Sequence, residues 1–203
     1  MVVAGRRDEA GKALVKELRS FGSEAEFINA DVRKEDDVRA LVDKTVARFG
    51  RLDVAVNNAG TEGKPGPITD QTAESYAATF DTNVLGVIMS MKHEVRVMQG
   101  QGSGSIINIS STYGHEGAPG ASIYAGSKHA VEGLTKSVAL EVASSNEPLR
   151  IAIGLEVPGE RAQPSPPLQS VAGRLEHGGL ALGGGEFGVG RHDGPRSEEH
   201  TSE

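Results

Sequence analysis

The chain contains no cysteine. Disulfides and thiolate chemistry are therefore excluded, and with them every cysteine-based metal site. Its six histidines are scattered, without the His-Glu-x-x-His spacing that brings two imidazoles onto one helical face, so no metal site is expected. Positive charge is also scarce: 21 Lys and Arg stand against 28 Asp and Glu, a net charge of -7, and no Lys- and Arg-rich run occurs. That balance argues against attachment to nucleic acid or to an anionic membrane surface, and it favours small-molecule or protein partners. Long apolar runs are missing as well. Nothing approaches the roughly 20 residues of a membrane span, and the start, "MVVAGRRDEAG", lacks the apolar centre of a signal peptide. A cytoplasmic location is the default expectation. What remains, 203 residues with 37% hydrophobic and 24% charged, suits a globular chain with one core.

Residues 1 to 153 alternate β-rich runs with helical patterns. "VVA" precedes a stretch in which Ala10, Leu14, Leu18 and Phe21 recur at intervals of three and four, predicting an apolar helix face. "AEFINADV" is strand-like, and Val38, Leu41, Val42, Val46 and Phe49 form a second helical stripe. "LDVAVNNAG" reads as a buried strand breaking at Asn57-Asn58, with helices expected over about 72–81 and 83–99. "SIINIS" is a fourth strand, Ile123 to Ala143 a long helix and "LRIAIGL" a fifth strand. This rhythm predicts an α/β fold, a parallel sheet wound with helices. His93 and Arg96 are read as residues of an outer helix face.

From Glu156 the alternation stops, and the stretch to residue 203 is glycine- and proline-rich with little to bury. The expected organisation is thus a partial dinucleotide-binding catalytic domain over 1–155 and an aberrant, disordered tail over 156–203. The tail's formal G-x-G-x-x-G match at Gly183, Gly185 and Gly188 neither follows a strand nor opens a helix, so it is not read as a fingerprint.

The chemistry is concentrated in "SSTYGHEGAPGASIYAGSK". Tyr124 and Lys128, four apart at the start of a helix, project from one face. A tyrosine hydroxyl is too weak an acid at neutral pH unless its anion is stabilised, which a neighbouring ammonium does. Ser111 lies thirteen residues before Tyr124, just past a strand, where parallel sheets place their ligand crevice. His115 and Glu116 between them read more naturally as solvated loop residues than as substrate contacts.

Alone, Tyr-x-x-x-Lys is a weak pattern, but it is accompanied in order by Asp31-Val32, "NNAG" at Asn57 to Gly60, and "TNVLG" with Asn83. With these companions the first 153 residues resemble the short-chain dehydrogenase/reductase family, which has a Rossmann-type doubly wound parallel sheet and uses a nicotinamide dinucleotide. The resemblance implies an oxidoreductase interconverting a carbonyl and a secondary alcohol. Tyr124 would be the acid/base and Lys128 would hold the nicotinamide ribose. Ser111 would orient the substrate oxygen, and Asn83 would hold a water in the proton relay. Asp31 and Val32 would lie beside the adenine, and Asn58, Ala59 and Gly60 beside the adenosine and its ribose. It also implies a homo-oligomer of the full-length protein, assembled through the helices at about 83–99 and 124–143.

Cofactor choice follows from "VVAGRR". Gly5 stands where NAD-binding chains place a carboxylate for the ribose hydroxyls, and Arg6 and Arg7 follow, so NADP is expected over NAD. Two departures qualify the resemblance. The family's opening strand and glycine-rich turn, T-G-x-x-x-G-x-G, have no counterpart before Met1, which would leave the flanking strands with unpaired edges. After Arg150 the family's threonine and substrate cover are not found, and "RSEEHTSE" can be encoded by codons resembling a sequencing-library adapter. The chain is therefore expected to be a fragment, out of frame after about residue 150, poorly stable and weakly active. The alternative function is a non-catalytic binding or regulatory protein on the same fold, or an inactive gene fragment.

Overall fold

Strands and helices alternate along the chain in the order that the hydrophobic pattern dictates. They are β1 (Val2–Gly5), α1 (Asp8–Ser20), β2 (Glu26–Asn29), α2 (Glu35–Phe49), β3 (Val54–Asn57), α3 (Ala73–Phe80), α4 (Gly86–Gln101), β4 (Gly104–Ser111), α5 (Ser122–Ala143) and β5 (Leu149–Glu156). This computed structural model describes residues 1–143 and 149–156, all of them inside one compact unit, Met1–Arg161. The tail from residue 157, including the G-x-G-x-x-G match and the closing octapeptide, lies outside the described residues.

All pairing between described strands is parallel, but the strands fall into two sheets, β1-β2 and β3-β4-β5. β4 and β5 pair over eight positions, from Gly104 opposite Leu149 to Ser111 opposite Glu156. β1 and β3 each pair on one side only among the described residues, which fits the unpaired edges expected from the sequence. The expectation of a buried third strand is met on one face only. In β3 only Ala55 is buried, whereas Val54 and Val56 are 57% and 56% exposed on the opposite face.

The main core lies where α4 and α5 cover the three-stranded sheet, and it contains Ala55, Val87, Met91, Met98, Ile106 and Val131. Met98 is fully buried against the start of β4, where a Cβ on Gly104 would overlap its sulfur. Glycine is what allows the strand to begin that close to the helix. Between α3 and α4 the backbone widens into a π-helix, Asp81–Leu85, at the boundary read from the sequence as a break between two helices.

Two helix faces differ from the sequence reading. On α1 the buried residues are Gly11 and Val15, while Leu14 and Phe21 are 43% and 73% exposed. A Cβ on Gly11 would overlap the Phe27 ring, so it is this small residue that lets α1 approach β2. The second correction concerns α4. His93 is buried rather than outward, with Nε2 3.3 Å from Glu35 Oε1 on α2. Lys92 also donates to Glu35 at 2.5 Å, and Arg96 to Asp43 at 2.6 Å. These contacts bind α4 to α2, a neighbour that helical periodicity alone does not reveal.

Candidate active site

β4 ends on Ser111, which is fully buried and whose Oγ accepts the N–H of Tyr113 at 3.3 Å. That bond opens a short 3-10 turn, Thr112–Gly114, leading towards α5. On the first turns of α5, Tyr124 and Lys128 are 8% and 5% exposed. The Lys128 ammonium donates to the Ile109 carbonyl at 2.9 Å and lies 5.6 Å from the centre of the Tyr124 ring. A burial this deep is costly for an ammonium unless acceptors and π-faces replace water, and this arrangement supplies both. The Tyr113 ring meets that of Tyr124 edge to face, 6.1 Å apart and at 82°, which restricts the tyrosine's orientation.

Asn83, in the π-helix, is 2% exposed. Its Oδ1 accepts Thr61 N–H at 2.8 Å, and its Nδ2 donates to Thr61 O and to Ser127 Oγ, both at 2.9 Å. Ser127 in turn donates to Tyr124 O at 2.7 Å. The Asn83 side chain thus clamps the loop after "NNAG" to the helix carrying Tyr124 and Lys128. Asn58, Ala59 and Gly60 lie exposed on that loop. A Cβ built on Gly60 would stand 3.4 Å from Asn83 Oδ1 and 3.9 Å from Lys128 Nζ. A side chain at this position would stand between the Asn83 amide and the Lys128 ammonium.

The remaining predicted residues gather at the C-terminal ends of β1 and β2. Asp31 receives a fork from Arg33, with Nε at 2.9 Å and Nη2 at 2.5 Å. This hydrogen bonding holds the Asp31 carboxyl down at about 2, with the nearby Arg6 charge adding a smaller push in the same direction. Val32 packs against the start of α4, its Cβ 3.1 Å from where a Cβ on Gly86 would be. The predicted residues therefore form two groups. Ser111, Tyr124, Lys128, Asn83 and Gly60 are associated with the three-stranded sheet, and Arg6, Asp31 and Val32 with the two-stranded one.

Sequence reasoning missed two buried carboxylates. Glu132, four residues after Lys128 on the same stripe of α5, accepts Ser110 Oγ–H at 2.9 Å and lies 3.2 Å from His115 Nδ1. The (i, i+4) spacing was the available signal. Glu94 on α4 accepts from Asn57 Nδ2 at 3.0 Å, and Asn57 also donates to Asn108 at 2.9 Å. Burial pushes the Glu94 carboxyl up to about 7, against the opposing pull of the Asn57 bond. Nothing in the local pattern distinguishes Glu94 from a surface carboxylate. Among the described residues there is no group of three or more His, Asp or Glu that could hold a metal, and no helix long and apolar enough to cross a membrane.

Comparison with known proteins bears on the family and the fold. The short chain dehydrogenase family model matches residues 1–160. The chain is 46% identical over 141 residues to (+)-borneol dehydrogenase 2 of Salvia officinalis, covering 69% of this chain and 50% of that one. The structure of NAD+-bound xylitol dehydrogenase superposes with a TM-score of 0.72 at 32% identity, covering 75% of this chain and 58% of the other. A gluconate 5-dehydrogenase from Burkholderia cenocepacia J2315, in complex with NADP and tartrate, gives a TM-score of 0.71 at 29% identity, covering 77% and 60%. The chain spans about half the length of the curated relatives it matches. The partial Rossmann-type α/β architecture expected from the sequence is the one found.

Proposed function

We propose, from the premise that this chain belongs to the short-chain dehydrogenase/reductase family, that its site interconverts a carbonyl and a secondary alcohol with a nicotinamide dinucleotide. One observation carries the reading: the Lys128 ammonium is held between the Tyr124 ring and the backbone of the strand that ends on Ser111. A nicotinamide dinucleotide, when bound, supplies or accepts the hydride. The chain's own residues handle the proton. In the reducing direction Tyr124 gives its hydroxyl proton to the substrate oxygen, and in the oxidising direction it takes that proton back. Lys128 stabilises the negative charge left on the Tyr124 oxygen, and Ser111 Oγ orients the substrate oxygen. Asn83 keeps the loop with Asn58, Ala59 and Gly60 against α5, where the open space beside Gly60 fits the ribose. Asn83 would also hold a water in the proton relay.

NADP is the preferred dinucleotide in this reading. β1 ends on Gly5, exposed Arg6 follows it, and the carboxylates nearby are already engaged, Asp8 by Asn29 and Asp31 by Arg33. Arg6→Ala should weaken NADPH binding about tenfold, the scale of one lost charge-assisted hydrogen bond, and leave NADH binding unchanged. Fluorescence titration with both dinucleotides checks this, and an unaltered preference would sink the assignment. NAD is the alternative, since solved relatives bind either.

The reading places the protein in the cytoplasm, acting on a small molecule, and assigns the groove between α4 and α5 to a second copy. Ile88, Val95, Leu134 and Val138 help to line that groove, a space of about 420 Å³. Light scattering should then give at least twice the chain mass, and Val138→Glu should return it to the monomer; a monomer at every concentration would refute the contact.

The test of the function itself is turnover. A panel of ketones and secondary alcohols should change nicotinamide absorbance with this chain. The rival reading, a non-catalytic binding or regulatory protein, draws on the open edges of β1 and β3. It predicts no absorbance change with any substrate.

A further inference from the structure

We infer that Glu132 is a positioning residue for the proposed reaction: its buried carboxylate ties the turn that follows Ser111 to the helix that carries Tyr124 and Lys128. The inference rests on the assignment of those three residues to the reaction. Glu132 is 3% exposed, and its partners come from three places. Ser110 Oγ donates to Oε1 at 2.9 Å from the end of β4. His115 Nδ1 stands 3.2 Å from Oε2, beyond the 3-10 turn, and Lys136 Nζ 3.6 Å from the same oxygen one helical turn further on.

Ser110 and His115 bracket Ser111 and its turn. Gly114, inside the turn, is buried so closely that a Cβ there would overlap both Glu132 Oε1 and Ser110 Oγ. The turn is therefore closed down onto the carboxylate. Glu132 is also eight residues after Tyr124 and four after Lys128, so one stripe of α5 carries the proton donor, the ammonium and this anchor. Lys128 and Thr135 also bond α5 to β4, at Ile109 and Asn108, but Glu132 alone of these three holds both the strand end and the far side of the turn that follows it.

Stability does not account for a carboxylate here. A buried charge contributes little net stabilisation, and well-packed apolar residues of similar volume often do as well or better. What the carboxylate adds is geometry, because its two oxygens fix the chain on either side of the turn at defined distances from α5. Small displacements of positioned groups are enough to slow a reaction severely.

Two variants of this chain test the inference. Glu132→Gln keeps an acceptor for Ser110 but presents an amide to His115, and His115→Ala acts from the exposed side and leaves the core untouched. Each should lower kcat about 10- to 100-fold with KM for NADPH unchanged, and the double variant should lose little more than either alone. Two NMR readouts are independent of turnover. At alkaline pH the neutral His115 ring should carry its proton on Nδ1 in the native chain and on Nε2 in Glu132→Gln. The Tyr124 ring signal should move in both variants. Unchanged kcat, or an unmoved Tyr124 signal, overturns the positioning role. If the native chain turns over no substrate, the catalytic reading fails separately, and the Tyr124 signal still decides whether Glu132 holds the turn to the helix.

Discussion

Tyr124→Phe should lower kcat for carbonyl reduction about 10²- to 10⁴-fold, the range associated with loss of a positioned acid/base. The substitution removes the hydroxyl and keeps the ring. The ring is packed edge to face on Tyr113 and lies under the Lys128 ammonium, and phenylalanine preserves both contacts. Binding of NADPH should therefore be retained, so that the lost activity is assigned to the proton rather than to the ring contacts. Steady-state turnover and a fluorescence titration on the same preparation separate the two. A variant that keeps native kcat would mean that the proton comes from elsewhere. One that loses binding in parallel would show that the hydroxyl serves the dinucleotide and not the substrate.

The second large effect concerns stability. Glu94 is buried on α4, and its carboxyl is pushed up to about 7 in the folded chain from an ordinary 4.5. Below the lower value both states hold the proton, and the group contributes no pH dependence. Between the two values the folded chain keeps a proton that the unfolded chain releases, so this group makes stability fall as pH rises. Above about 7 the full cost of ionising a buried group remains, on the order of 3 kcal/mol. Glu94→Gln removes that cost while keeping an acceptor for Asn57, and so preserves the chain from Glu94 through Asn57 and Asn108 to Thr135. Urea unfolding at several pH values should show variant and native chain alike near pH 4, with the variant increasingly more stable up to neutrality. A difference that is the same at every pH would show that Glu94 is ionised, or neutral, in both states throughout.

The fold and part of the site were legible because their determinants are local. An (i, i+4) interval puts Tyr124 and Lys128 on one helix face whatever surrounds the helix, and the end of a β-rich run puts Ser111 at the C-terminal edge of a parallel sheet. What escaped depends on contacts between distant segments. The pattern on α1 offered Leu14 and Phe21 as core, but the small Gly11 beside Phe27 is what lets the helix approach, and it turns Val15 inward instead. His93 is buried because α2 lies across α4 and supplies Glu35. Glu94 and Glu132 look like surface carboxylates until Asn57 on β3, Ser110 on β4 and His115 beyond it are brought to them. In each case a residue some twenty or more positions away, or on another element, decides the environment.

Transfer of deuterium from the 4-position of labelled NADPH to a ketone tests the central claim most directly. The product alcohol should carry one deuterium at the carbinol carbon, and the Tyr124→Phe chain should form that product at a rate lower by the factor given above. An alcohol without the label, or label transferred equally well by the Tyr124→Phe chain, would contradict hydride transfer at the Ser111, Tyr124 and Lys128 site.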